Sequence, residues 1–178
     1  DVGGSLLLAR APGRLGEYLG ITSGRMKPGD ALHAGFADYY IPRAAWGALI
    51  ETLCETGDWD AVDRAAEHAP ASDLAEARPE IDALFSGETL RDVVNLLEST
   101  EGDLAEKALA ALNQNSPISM ACTLELIHRV RSTDTIETAL EMEYRFTSRS
   151  MEKADFLEGI RAVIIDKDNA PNWRHDGP

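Results

Sequence analysis

Residues that could act as nucleophiles or metal ligands are present, but their spacing does not suit those roles. The histidines are scattered along the chain, and no two of them stand at the spacing that a zinc site needs. Ser5 and Ser119 lack the Gly-x-Ser-x-Gly context of a serine hydrolase, and both are expected to cap helices. The sequence therefore predicts neither a metal centre nor a serine-based triad. The histidines are His33, His68, His128 and His175.

Two adjacent glycines near the beginning could be mistaken for part of a phosphate-binding loop. A bare Gly3-Gly4 pair is more typical of a tight backbone turn, because glycine reaches conformations closed to other residues. After this turn we expect a short apolar helix with Ser5 as its N-cap. Pro28 and Asp30 suit the first turn of another short helix.

The two cysteines, Cys54 and Cys122, show no metal-like spacing. They are predicted to be reduced, buried thiols, as in a cytosolic or matrix protein. The chain has no apolar run of the roughly 18 residues that a membrane span requires, and no secretory signal pattern. It starts without Met and in the middle of a pattern, so a transit peptide ahead of it stays open.

The net charge of −14 argues against nucleic acid as a partner, because binding phosphates needs a basic face. Residues 51–107 carry sixteen acidic residues against four basic ones, whereas residues 1–30 have a net charge of +1. An anionic ligand is therefore expected near the beginning or in the last third of the chain. The acidic middle is expected to form the solvated faces of helices.

The chain is long enough to bury one substantial core, and its pattern is mostly helical. One short strand is predicted at residues 37–41, and its pairing partner is expected outside this chain because an unpaired strand leaves backbone groups unsatisfied. A last helix is predicted at residues 155–166, followed by an irregular tail. The predicted helix faces are Leu90, Val93, Val94 and Leu97; Met120, Leu124 and Ile127; Ile136, Ala139, Leu140 and Tyr144.

Several motifs follow one another in a characteristic order and spacing. They are Asp1-Val2-Gly3-Gly4-Ser5, Pro12-Gly13-Arg14-Leu15-Gly16, Tyr18-Leu19-Gly20-Ile21-Thr22, Asp30-Ala31-Leu32 with Gly35, Ser116-Pro117-Ile118-Ser119, Met142-Glu143-Tyr144-Arg145, Asp155-Phe156-Leu157-Glu158-Gly159-Ile160-Arg161-Ala162, Ile165-Asp166-Lys167-Asp168 and Pro171-Asn172-Trp173. Together they resemble the 3-hydroxyisobutyryl-CoA hydrolase branch of the crotonase superfamily. General enoyl-CoA hydratases share the glycine turn but lack the last two motifs, which favours the hydrolase branch.

The resemblance implies an α+β parent with a crotonase spiral of ββα units. Residues 1–42 would close that core, and residues 43–178 would form a helical C-terminal region. The oxyanion-hole glycines and a functional glutamate would precede Asp1, in an N-terminal half that is the expected partner of this chain. A homo-oligomer is also compatible with the resemblance.

The resemblance also implies that Asp1 binds the substrate hydroxyl beside the thioester. Phe156 and Lys167 are candidate contacts to the acyl-CoA, with a core position for Phe156 as the alternative. The cations of residues 1–30 can meet the phosphates of coenzyme A or remain solvated surface charge. No metal or organic cofactor is expected. These cations are Arg10, Arg14, Arg25 and Lys27.

The implied activity is hydrolysis of 3-hydroxyisobutyryl-CoA, or of a similar short 3-hydroxyacyl-CoA, in valine breakdown. The alternatives are an enoyl-CoA hydratase or isomerase and, for residues 1–178 by themselves, a non-catalytic helical packing module. The composition, rich in alanine and acidic residues, favours a bacterial cytoplasm over a mitochondrial matrix.

Overall fold

The computed structural model describes residues 2–175 and residue 177, and these residues are mostly helical. They form eleven α-helices, a 3-10 turn at Arg43–Ala45 and a π-helical turn at Arg161–Ile165. In chain order the helices are α1 (Gly4–Arg10), α2 (Leu15–Thr22), α3 (Pro28–His33), α4 (Trp46–Thr56), α5 (Asp60–Ala65), α6 (Asp73–Leu84), α7 (Leu90–Glu98), α8 (Asp103–Leu112), α9 (Pro117–Thr133), α10 (Ile136–Lys153) and α11 (Phe156–Ile160).

Apolar spacing predicted the buried face of α9 and, except for the half-buried Val94, that of α7, but it did not predict that of α10. Met120, Leu124 and Ile127 of α9 are all buried, as that spacing requires. In α10, by contrast, the predicted Tyr144 is exposed, and the buried side chains include Glu143. A charged residue therefore takes a core position that the hydrophobic pattern assigned to its neighbours.

The strand predicted at residues 37–41 is not found. Tyr40 forms one isolated antiparallel bridge with Glu67, in which the Glu67 N–H donates to the Tyr40 carbonyl oxygen at 2.9 Å. A single bridge does not make a ladder, so the β-favouring composition of this segment yields only one extended contact.

The last predicted helix is shorter than its apolar spacing suggested. The α-helix α11 ends at Ile160, and the π-helical turn continues the chain to Ile165. Its large apolar side chains are exposed, including Phe156 at 53% and Ile164 at 64%. Within the described residues, Phe156 therefore does not occupy a core position. The described part of the tail is irregular, as predicted.

The contacts divide the chain into two units, residues 1–25 with 78–178 and residues 26–77. The boundary predicted at residue 42, between a parent core and its helical region, concerns the whole protein and stays a prediction. Within the larger unit, α1 and α2 both pack on α9, and α10 packs on α9 and α1. Leu6, Ile127, Val130 and Ala139 belong to a buried cluster where α1, α9 and α10 meet.

Close packing of α1 on α2 depends on Gly16. A Cβ atom at this position would lie 2.0 Å from the Leu8 carbonyl oxygen. This distance is too short for any side chain, so only glycine fits here. The contact fixes the beginning of α2 against α1. A second contact in the same unit stacks the ring of Tyr18 edge-on against Phe85, with 5.3 Å between the ring centroids.

Asp30 organises the smaller unit. One of its carboxylate oxygens accepts hydrogen bonds from the Ser72 hydroxyl at 2.8 Å and the Leu74 N–H at 3.0 Å. The other accepts from the Lys27 N–H at 3.0 Å, and Pro28 occupies the first helical turn as predicted. Asp30 thus begins α3 and anchors the segment that leads into α6.

Both cysteines are free thiols. Cys54 is exposed, so the predicted burial of both thiols is wrong for this residue, while Cys122 is half-buried. Burial and the nearby Glu125 carboxylate raise the pKa of Cys122. In the described part of the chain, no helix combines the length and the apolar character that crossing a membrane demands.

Candidate functional site

The turn at residues 2–5 is held by a carboxylate from the far end of the sequence. Glu143 accepts a hydrogen bond from the Gly3 N–H at 2.8 Å through one oxygen. Its other oxygen accepts from the Ser5 N–H at 2.8 Å and from the Ser5 hydroxyl at 2.5 Å. A single side chain of α10 therefore binds three donors at the beginning of α1.

This arrangement corrects the prediction that Ser5 caps α1. The N-cap position belongs to Gly3, which has a left-handed backbone and makes no side-chain cap, and Ser5 lies inside the helix. The first N–H groups of a helix have no partner within the helix, and they attract negative charge. Glu143 supplies that partner, which no local motif around Ser5 could have revealed.

Glu143 is buried, with 5% of its surface exposed. Burial by itself would raise the pKa of Glu143. The hydrogen bonds from Ser5 and from the Gly3 N–H outweigh burial and hold the pKa below its ordinary value. The side chain is thus a buried carboxylate that works as a hydrogen-bond acceptor.

Asp1, the predicted substrate-binding acid, lies outside the described residues. The structure does describe the turn that follows it in the chain, where Val2 and Gly3 have φ angles of 59° and 90°. A positive φ at a β-branched residue such as Val2 is rare and persists only where the surroundings hold it. The backbone next to Asp1 therefore follows a definite and unusual path.

The C-terminal motif folds around Arg161. Its guanidinium donates to both oxygens of Glu158, at 2.9 and 2.7 Å, and to the carboxylates of Asp166 and Asp168 at 2.7 Å each. The hydrogen bonds from Arg161 and from the Asn172 N–H lower the pKa of Glu158 to about 2. Glu158, Asp166 and Asp168 thus form one charged cluster around Arg161.

Lys167 lies between two of the acids that bind Arg161. Its backbone has a φ of 56°, and its side chain is exposed. The arginine therefore fixes the chain on both sides of this lysine while leaving the ammonium group in solvent. The position suits a contact to an anionic ligand, and the predicted role of Lys167 stays a prediction.

Phe156 lies beside an open cleft of about 480 Å³. The walls of the cleft include Phe146, Ile160, Ile164 and Trp173. Within the described residues, no hydrogen bond or ion pair joins Phe156 or Lys167 to the turn at residues 2–5. The structure brings together the residues within each motif, but it does not connect Phe156 or Lys167 to the turn at residues 2–5.

Three of the four cations considered for coenzyme A phosphates have acidic partners. Arg10 pairs with Asp134 at 2.6 Å, Lys27 pairs with Asp73 at 2.5 Å, and Arg14 pairs with Glu17 at 2.8 Å. These pairs favour a structural role over phosphate binding for the three residues. In the described part of the chain, no group of three or more histidine, cysteine or acidic residues could hold a metal ion.

A second buried carboxylate, Glu17, has no exposed surface. Arg131 donates to both of its oxygens, at 2.7 and 2.9 Å, and Arg14 donates to one of them. Burial would raise the pKa of Glu17, but the hydrogen bonds from Arg131 and Arg14 lower it overall. This cluster joins α2 to α9, and a charged residue inside an apolar helix was the only sequence signal for it.

Comparison with known proteins gives a consistent assignment. The family described as enoyl-CoA hydratase/isomerase matches residues 1–177. The mitochondrial 3-hydroxyisobutyryl-CoA hydrolase of Rattus norvegicus is 34% identical over 185 residues, which cover 98% of this chain and 48% of the relative.

Solved structures agree with this assignment. A crystal structure of an enoyl-CoA hydratase from Rhodobacter sphaeroides is 51% identical, with a TM-score of 0.93 over 100% of this chain and 51% of that chain. A carnitinyl-CoA dehydratase from Mycobacterium thermoresistibile is 35% identical, with a TM-score of 0.90, over 99% of this chain and 51% of that chain. The chain thus spans about half the length of the relatives it matches. Its resemblance to the crotonase superfamily is confirmed, and the chain belongs to the enoyl-CoA hydratase/isomerase family.

Proposed function

We propose that the protein to which these residues belong hydrolyses the thioester of 3-hydroxyisobutyryl-CoA or of a similar short 3-hydroxyacyl-CoA. The observation that carries the proposal is the match of 98% of this chain to a relative named for that activity. The closing motif around Arg161 supports it, because the same residues set the hydrolase branch apart by resemblance.

In the proposed reaction, water is added across the thioester, which yields the free 3-hydroxy acid and the thiol of coenzyme A. Asp1 accepts a hydrogen bond from the substrate 3-hydroxyl and orients the acyl group. A glutamate from the N-terminal half acts as base or nucleophile, and backbone N–H groups from that half stabilise the oxyanion. We propose that the reaction needs no metal or organic cofactor and serves valine breakdown in a bacterial cytoplasm.

A second candidate is hydration of an enoyl-CoA. The structure named as an enoyl-CoA hydratase is 51% identical to this chain, against 34% for the hydrolase named above. Hydration adds water across a carbon–carbon double bond and leaves the thioester intact, so no thiol appears. The two candidates therefore differ in a directly measurable product.

The test is release of free thiol from 3-hydroxyisobutyryl-CoA by the whole protein, measured with a thiol reagent. A parallel assay follows the loss of enoyl absorbance from crotonyl-CoA. Thiol release without hydration supports the hydrolase, and hydration without thiol release establishes the second candidate instead. In the hydrolase, Asp1→Asn is expected to slow turnover, and undiminished turnover would remove Asp1 from the mechanism.

A further inference from the structure

We infer that Glu143 is a positioning residue of the acyl-CoA site, which fixes the backbone turn at residues 2–5, directly after Asp1 in the chain. The inference rests on the proposed function, since it assigns to Glu143 an effect that passes through Asp1. Glu143 would touch neither the thioester nor the 3-hydroxyl.

The first support is where the carboxylate binds. Its two oxygens accept hydrogen bonds from the N–H groups of Gly3 and Ser5 at 2.8 Å each. The backbone is therefore fixed on both sides of Gly4. Gly3 is only two residues beyond Asp1. Hydrogen bonds so close to Asp1 in the chain limit the directions in which the backbone can run from the turn toward that residue.

The second support is the unusual backbone conformation of the turn, which the hydrogen bonds to Glu143 maintain. Val2 and Gly3 both have positive φ angles, a combination that an unrestrained backbone rarely adopts. Helix α10 restrains Gly3 at a second point, because a Cβ atom there would lie 2.9 Å from the Ile136 Cδ1 atom. Ile136 precedes Glu143 by two helical turns, so one side of α10 meets the turn twice.

The third support is that the carboxylate is matched to its partners. At least three donors face the two acceptor oxygens of Glu143, and glutamine would replace one of those oxygens with an NH₂ donor. In either orientation of that amide, NH₂ would face a backbone N–H donor, that of Gly3 or that of Ser5. Glu143→Gln therefore keeps the size of the side chain but loses the hydrogen bond from one of the two N–H groups.

The experiment is a double-variant cycle in the whole protein, with thiol release from 3-hydroxyisobutyryl-CoA as the readout. We expect Glu143→Gln to lower kcat on the order of 10–100-fold, as small misplacements of a catalytic group do. We expect the double variant Asp1→Asn with Glu143→Gln to match Asp1→Asn by itself, because Glu143 acts through Asp1. Glu137→Gln, an exposed residue of the same helix, is the control and should keep wild-type kcat.

A general loss of folding would lower kcat equally in both backgrounds, so additive effects would overturn the inference. Wild-type kcat in Glu143→Gln would also overturn it while leaving the hydrolase intact. If the wild-type protein releases no thiol, the proposed function falls and takes this inference with it. Should Glu143→Gln not fold, Ser5→Ala removes only the hydroxyl donor, and its smaller loss of kcat should likewise vanish in the Asp1→Asn background.

Discussion

Arg131 binds Glu17 through both carboxylate oxygens, at 2.7 and 2.9 Å, although 114 positions separate the two residues in the chain. The carboxylate is fully buried, and the arginine side chain is 33% exposed. A pair of this kind is costly to break on one side only, because the buried Glu17 carboxylate would keep the hydrogen bond from Arg14 but lose both of those from Arg131.

We therefore expect Arg131→Gln to lower the free energy of unfolding by about 2–3 kcal/mol, the lower end for buried pairs because solvent reaches the arginine. The matched control is Arg129→Gln, which breaks an exposed pair with Glu125 on the same helix and should cost less than about 1 kcal/mol. Urea unfolding of the whole protein, followed by circular dichroism, measures both. Equal losses in the two variants would contradict a special role for the buried pair.

The glycine turn offers a second matched comparison. Gly3→Ala puts a Cβ on a left-handed backbone, 2.9 Å from Ile136, and is expected to destabilise by at least about 1 kcal/mol. Gly4→Ala meets nothing within 4 Å and replaces a helical glycine, so it should be neutral or stabilise by up to about 1 kcal/mol. The melting temperatures of the two variants, each compared with the wild type, measure the two effects. A better-tolerated Ala at position 3 than at position 4 would refute the backbone assignment.

Acid sensitivity follows from Glu143. Burial raises the pKa of Glu143, but the hydrogen bonds from Ser5 and the Gly3 N–H lower it below the unfolded value of about 4.3. A carboxyl group with a lowered folded pKa stabilises the protein above the unfolded pKa, and this contribution is lost as the pH falls through the folded pKa. We expect wild-type stability to fall more steeply than that of Glu143→Gln between about pH 5 and about pH 3. Parallel curves would show that folding does not lower the pKa of Glu143.

Asp30 should be the most sensitive acid of residues 26–77 that the structure describes. Asp30→Ala leaves the Ser72 hydroxyl and the N–H groups of Leu74 and Lys27 without their acceptor, which costs about 1–3 kcal/mol. The exposed Asp38 is the control, and Asp38→Ala should change the unfolding midpoint little. A comparable loss in both variants would mean that the hydrogen bonds of Asp30 contribute little.

The charged cluster at the C-terminus is testable by titration. The pKa of Glu158 is about 2, chiefly because of its hydrogen bonds from Arg161. Arg161→Gln should move this pKa toward its ordinary value, whereas Arg145→Gln, which breaks an exposed pair with Glu141, should not. NMR titration of the side-chain carboxyl carbon reports the value directly. An unchanged pKa in Arg161→Gln would show that the arginine does not hold Glu158.

Local patterns predicted the helices better than they predicted the site. The spacing of Met120, Leu124 and Ile127 indicates a helix face that α9 does bury, because burial follows the helical repeat. The hydrophobic pattern gives no reason to bury Glu143, whose partners lie 138 and 140 positions away. The motif Met142-Glu143-Tyr144-Arg145 marked the segment as significant, but only three-dimensional packing shows which donors its acid binds.

The exposed C-terminal side chains show the opposite error. Phe156 and Ile164 lie on what reads as an apolar helix face, so the pattern predicts their burial. In the described chain they are more than half exposed. Hydrophobic spacing shows that a face is apolar, but it does not identify the surface that covers it.

The π-helical turn at Arg161–Ile165 has a consequence for Lys167. In this turn the Asp166 N–H donates to the Arg161 carbonyl oxygen at 2.8 Å, five residues back instead of four. Such a widened turn accommodates one more residue than an α-helix. Inserting or deleting a residue there would change the winding and the hydrogen bond that closes the turn in front of Lys167. The direction of the lysine therefore depends on the residue count of this turn as well as on the ion pairs that flank it.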